Sequence, residues 1–130
     1  MPIAIQSSDG SGSGPTIRDI DGSANEFIYT LNRLVFSGAY PTGGDTLDLT
    51  PLVAAGVPTG ALPLNGTITS NGGGSSTGVA GGAYNLQLGT LLTNNKVKVF
   101  TAGVTELNGN YTAVQTGDVV TLLISWRKFA

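Results

Sequence analysis

The chain is a succession of short alternating runs separated by glycine and proline. Asp45 to Thr50 alternates cleanly, with Leu47 and Leu49 on one side and Thr46, Asp48 and Thr50 on the other, which is the period of a half-buried strand. Val120, Leu122, Ile124 and Trp126 alternate with Thr121, Ser125 and Arg127 near the end of the chain. Tyr84, Leu86 and Leu88 alternate with Asn85 and Gln87, and Val97 and Val99 alternate with Lys96 and Lys98. Leu62 to Ser70 reads as a further strand with a weak point at Asn65-Gly66. From Glu26 to Ser37, EFIYTLNRLVFS, two periods compete. Ser23-x-x-Glu26 is a capping box with Phe27, Leu31, Leu34 and Val35 on one helical face. Phe27, Tyr29, Leu31 and Val35 also share one face of a strand, and the aromatic and β-branched content favours the strand.

Turn signals fill the gaps. Gly38 to Gly44, GAYPTGG, is a connection in which proline fixes φ and glycine permits positive φ. Asp45 is expected to cap it. Thr50-Pro51 followed by Gly56 predicts one short helical turn near residues 51–55. NGGGSSTGVAGG, residues 71–82, predicts the tip of a long hairpin joining 62–70 to 84–88. Asn108-Gly109 predicts a tight hairpin turn, and Thr116 to Asp118 a turn into the last strand. Seven or so strands spaced this way predict an all-β chain, an antiparallel β-sandwich or jelly-roll-like barrel. Residues 1–22 stand apart, because SSDGSGSGP separates the isoleucine pairs Ile3-Ile5 and Ile17-Ile20. They read either as a flexible terminus or as an arm lying extended over another surface, with residues 23–130 as the single domain.

Composition narrows the chemistry. Glycine supplies 20 of 130 residues and proline 6, while charged residues make up 11% against a usual fraction of about 25%. The six cations, Arg18, Arg33, Lys96, Lys98, Arg127 and Lys128, are scattered and the net charge is −2, so nucleic acid is not an expected partner. There is no Cys and no His, which removes thiol nucleophiles, thiolate zinc sites and any Ser-His triad. No apolar run approaches the roughly 20 residues needed to cross a bilayer, and MPIAIQSSDG has no secretory pattern. Synthesis in a cytoplasm is therefore the expectation, with no membrane partner. Asn65-Gly66-Thr67 and Asn110-Tyr111-Thr112 match the glycosylation triplet but read as turn chemistry.

The candidate sites are weak. Asp45 and Asp48, three apart in a strand, fall on opposite faces. Asp9-x-Ser11-x-Ser13-Gly14 begins like a calcium loop, but Ile20 stands where a bidentate Glu is required. GSGSGP and NGGGSSTG lack the ending of a phosphate-binding loop. Tyr29, Tyr40, Tyr84, Tyr111 and Trp126 could stack on a sugar, though core or interface places are the commoner fate of such side chains. No cofactor, no metal and no enzymatic activity is expected.

The order of segments carries more information. LVFSGAYPTGGDTLDLTPL, then GVP, NNKVKVF, TEL and a strand ending SWRKF, together spanning about residues 29–129, resembles small tailed-bacteriophage capsid decoration, or cement, proteins. The FSGAYPTGGDTLDL segment is the most specific part. The resemblance implies a β-sandwich on the outer capsid surface of a virion, often a homotrimer at three-fold or quasi-three-fold positions. Its partner would be the major capsid protein, whose neighbouring subunits it would clamp against internal DNA pressure. On this reading Ile3, Ile5, Ile17, Arg18 and Ile20 are arm contacts to a neighbour, and Asn71, Gly72, Gly73, Gly74, Ser75 and Ser76 are loop-tip contacts. The alternatives are a tail or fibre component and a carbohydrate-binding module, the latter reported by quenching of Trp126.

Overall fold

A computed structural model describes residues 3–21, 27–70, 83–101 and 105–127. Eleven strand segments and two short helices follow in order: β1 (Ile3–Ser7), β2 (Ile20–Asp21), β3 (Phe27–Phe36), β4 (Ala39–Tyr40), β5 (Asp45–Leu47), α1 (Thr50–Ala55), β6 (Leu62–Ser70), β7 (Ala83–Gln87), β8 (Asn95–Thr101), β9 (Thr105–Glu106), β10 (Gly109–Asn110), α2 (Ala113–Gly117) and β11 (Val120–Arg127). One sheet runs β1-β3-β11-β6, with β2 beside β1 on the same edge of β3. The other centres on β8, with β7 on one side and β5 and β9 on the other. Every pairing is antiparallel, as an all-β sandwich requires, and among the described residues no sheet closes into a barrel.

The core fills the space between the two sheets. Val120, Leu122, Ile124 and Trp126 of β11 are fully buried, as their alternation predicts, and face Leu47, Val97 and Val99 of the second sheet. α1 contributes Leu52 to the core, and just before the helix Asp48 Oδ1 accepts from Thr50 N at 2.9 Å. The helix begins at Thr50, one residue before Pro51, with Leu49 at its N-cap. The indole of Trp126 carries an N–H that burial would leave unsatisfied. Thr30 of β3 accepts it at 2.9 Å.

That demand helps explain which face of β3 turns inward. The strand reading of Phe27–Phe36 holds, but its inner face is Ile28, Thr30, Asn32, Leu34 and Phe36. The shared apolar face of Phe27, Tyr29 and Leu31 points outward.

Three expectations are corrected. Residues 1–22 are not a separate arm along the part described: Ile3 and Ile5 of β1 are core residues, because pairing with β3 sets them on its inner face. β6 and β7 do not form a hairpin. They belong to different sheets, with β6 bonded to β11 and β7 to β8, and their proposed tip, 71–82, lies outside the described residues. Asn108-Gly109 is not a hairpin tip either, since Gly109 and Asn110 pair with Tyr40 and Ala39.

Candidate functional site

Alternation gives the five-stranded sheet an outer face as regular as its inner one. Cross-strand register aligns Leu31 with Leu123 and Thr67 in one row. The next row holds Asp21, Tyr29, Ser125 and Asn65, and the one beyond it Phe27, Arg127 and Leu62. A bulge between Ser125 and Trp126 turns Leu64 toward solvent as well. Phe27, Tyr29, Leu31, Leu62, Leu64 and Leu123 are each 42–49% exposed. Scattered exposed leucines are ordinary; six large apolar side chains exposed on three adjoining strands, with Ser125 and Arg127 between those of β3 and β6, make an apolar face of the kind that marks an interaction site.

The patch is shallow. One depression of about 200 Å³ is lined by Tyr29, Asn65, Gly66, Thr67, Leu123 and Ser125. A second, of about 290 Å³, is lined by Arg18, Asp19, Asp21, Tyr29, Leu31 and Leu123, among others. They share Tyr29 and Leu123, so together they form a trough across the strands. Each is smaller than the roughly 300–1,000 Å³ that encloses a small ligand. The relief suits protruding side chains of a large partner.

The loop between β1 and β2 stands at the rim of this face, and one buried carboxylate closes it. Asp19 is 4% exposed. Its Oδ1 accepts from Ser8 N at 2.9 Å and Ser8 Oγ at 2.6 Å, and its Oδ2 from Thr16 N at 2.7 Å and Thr16 Oγ1 at 3.2 Å. Burial alone pushes this carboxyl up, but the bonds from Ser8 and Thr16 outweigh it and hold the group below its ordinary 3.8. Arg18 pairs with Asp9, whose carboxyl is itself lowered chiefly by Ser11 N–H. The SSDGSGSGP stretch is therefore a closed loop with an internal network.

A second polar cluster holds the opposite sheet. Tyr111 donates to Asp45 at 2.7 Å, Tyr84 to Asp118 at 2.7 Å and Tyr40 to Glu106 at 2.5 Å. The rings of Tyr84 and Tyr111 pack on Phe36, with centroids 5.1 Å and 5.3 Å away, and Tyr40 packs edge-on against Tyr111 at 5.7 Å. Burial first, then the carboxylate each one faces, pushes all three phenols up, Tyr40 to about 12. Glu106 also accepts Gly43 N at 2.8 Å. The acid that caps the glycine corner is thus Glu106, and Asp45 is instead a 3% exposed acceptor for Tyr111. These carboxylates are spent on phenols and turns, an arrangement that holds structure.

The residues expected to reach a neighbour are dispersed. Ile3 and Ile5 are buried, Ile20 packs against the core and Arg18 is ion-paired, while Ile17 stays 77% exposed. The tip residues Asn71 to Ser76 lie outside the described residues. Of the five aromatic candidates, Tyr40, Tyr111 and Trp126 are buried and Tyr84 is half-buried, leaving Tyr29 on the outer face. Among the described residues no cluster of three or more acidic side chains could hold a metal, and no helix is long and apolar enough to cross a membrane. Comparison with family models, curated proteins and solved structures returns no match for the chain.

Sequence reasoning grouped Phe27, Tyr29 and Leu31 but did not set Leu123 among them, because their adjacency depends on register between β3 and β11. It also missed Glu106, whose partners Tyr40 and Gly43 are more than sixty residues away.

Proposed function

We propose that the chain is a structural virion protein that decorates the outer surface of a phage capsid. It docks the outer face of its five-stranded sheet on the major capsid protein and so cements neighbouring subunits. The exposure of Phe27, Tyr29, Leu31, Leu62, Leu64 and Leu123 on one sheet supports the docking half of this reading. The capsid half rests on the resemblance of residues 29–129 to cement proteins. Such a role needs extended contact and no bond chemistry. A half-exposed leucine has about 1 kcal/mol still to gain on full burial. Repetition over a symmetric shell turns such modest contacts into firm attachment.

The test is binding of the purified chain to capsids that lack it. Leu123→Asp puts a charge in the centre of the patch without touching the core. It should lower capsid affinity at least about tenfold while far-UV circular dichroism stays unchanged. Unaltered binding by a folded Leu123→Asp chain refutes the docking face.

One observation favours a second reading, a glycan-binding face. The half-exposed ring of Tyr29 is flanked by Asn65, Thr67 and Ser125, the mix of stacking surface and hydrogen-bonding groups that a sugar ring uses. Trp126 is fully buried and cannot report such binding by direct contact. Saturable shifts of the Tyr29 ring and of the Asn65 and Ser125 amides on adding oligosaccharide, the amide shifts being abolished by Tyr29→Ala, would select this reading.

A further inference from the structure

The row of the outer face that runs Asp21, Tyr29, Ser125, Asn65 ends in a reactive pair. Asn65 is exposed, and the residue after it is Gly66. Gly66 N donates to Asn65 Oδ1 at 2.8 Å. The amide carbon Cγ is one bond from that oxygen, so a main-chain nitrogen and a side-chain carbonyl carbon are held close together. A turn about the Asn65 Cβ–Cγ bond presents the face of that carbon to the nitrogen. Two groups kept this near react as an intramolecular pair, without the cost of bringing them together.

The fold lets the backbone take part. Glycine carries no Cβ to crowd the approach of its own nitrogen. At this position it also serves packing, because a Cβ on Gly66 would sit 2.5 Å from Leu86 Cδ2 of the second sheet. The ladder is irregular here as well: the register between β6 and β11 shifts between Ser125 and Trp126, opposite Asn65 and Pro63. Such a bulge disrupts the regular pairing that would otherwise hold Asn65 in one extended conformation.

We propose that Asn65-Gly66 is a self-modification site, at which the folded chain converts its own asparagine to aspartate and isoaspartate through a cyclic imide. Gly66 N gives its proton to hydroxide and bonds to Asn65 Cγ. The Cγ–Nδ2 bond breaks, and that nitrogen leaves as ammonia after taking a proton from water. The product is a five-membered succinimide ring. Water then opens the ring at one of its two carbonyls. Opening at Cγ restores the main chain and leaves aspartate, whereas opening at the main-chain carbonyl leaves the chain running through Cγ as isoaspartate. Nothing is oxidised or reduced, and water is the only reagent consumed.

Either product adds a negative charge within a stretch, Leu49 to Asn95, whose sequence has no Asp, Glu, Lys or Arg. The charge falls in the depression lined by Tyr29, Thr67 and Ser125, so the apolar face acquires a carboxylate with age. Isoaspartate also lengthens the main chain by one carbon, which works against the pairing of β6 with β11. The site itself is independent of what the outer face binds.

Peptide mapping of the aged, folded chain by mass spectrometry tests it. The reference is a free peptide of residues 62–69, kept beside it in mildly alkaline buffer until half of the peptide has converted. By then the folded chain should carry aspartate and isoaspartate at position 65, formed at a rate that rises in proportion to hydroxide. Isoaspartyl methyltransferase should label the aged chain on the same peptide. A folded chain still intact at Asn65 when the reference is half converted overturns the proposal. So does conversion that requires urea.

Discussion

Asp19 shows how much one side chain can organise here. It gathers donors from Ser8 and Thr16 and so pins both ends of the loop between β1 and β2. A hydrogen bond to a charged group contributes roughly 1.5–3 kcal/mol, and the donors left behind in a variant are partly buried. Asp19→Asn is expected to lower stability by about 2 kcal/mol in urea titration and to open residues 8–16 to proteolysis. Its carboxyl lies below its ordinary value in the folded chain, so its contribution is present above about pH 3.8 and is lost as pH falls through the lowered value. Tyr40, Tyr84 and Tyr111 act at the other end of the scale. Their phenols are raised, so the neutral forms stabilise the fold below pH 10. That stability drains away as pH climbs from 10 through the value of about 12 reached by Tyr40. Alkaline titration followed by absorbance of ionised tyrosine should show cooperative unfolding in that window, and Tyr111→Phe, which strands Asp45, should cost about 1–3 kcal/mol at neutral pH.

Elements in this fold owe their placement to polar side chains as often as to apolar ones. The turn before β8 is held by Asn95, fully buried, whose Nδ2 donates to Leu92 O at 2.9 Å and Leu91 O at 3.2 Å while Oδ1 accepts Gly89 N at 2.9 Å. Asn95→Ala removes all of these at once, and about 2–4 kcal/mol of destabilisation in thermal unfolding is the expected outcome. Strand existence was legible in the sequence because alternation is a local property: β5, β6, β7, β8 and β11 all fall where period-two runs occur. Partnership was not legible. Nothing in Leu62–Ser70 or Ala83–Gln87 says that they join opposite sheets, since that is decided by which neighbours compete for their edges. Which face of β3 turns inward was likewise not legible from the strand alone. Phe27, Tyr29 and Leu31 share an apolar face, yet Thr30 lies inside, where it accepts the indole N–H of Trp126. The outer patch is the visible remainder of that choice.

At the scale of the whole molecule three surfaces differ in kind. The outer sheet face is largely apolar and rimmed by the Asp19 loop, strands β6 and β7 carry no charged residue, and charged side chains line the broken edge at β1 and β2. A protein that bridges a shell needs a face for the shell, and the apolar patch is the natural candidate. Replacing Tyr29 and Leu31 by serine should therefore reduce attachment to capsids without loss of stability, because neither side chain belongs to the core. The most direct measurement is the copy number of this chain relative to the major capsid protein in purified virions, read by quantitative mass spectrometry. A cement role predicts a ratio of one to one or a simple fraction of it. A few copies per particle, or none, would contradict the account.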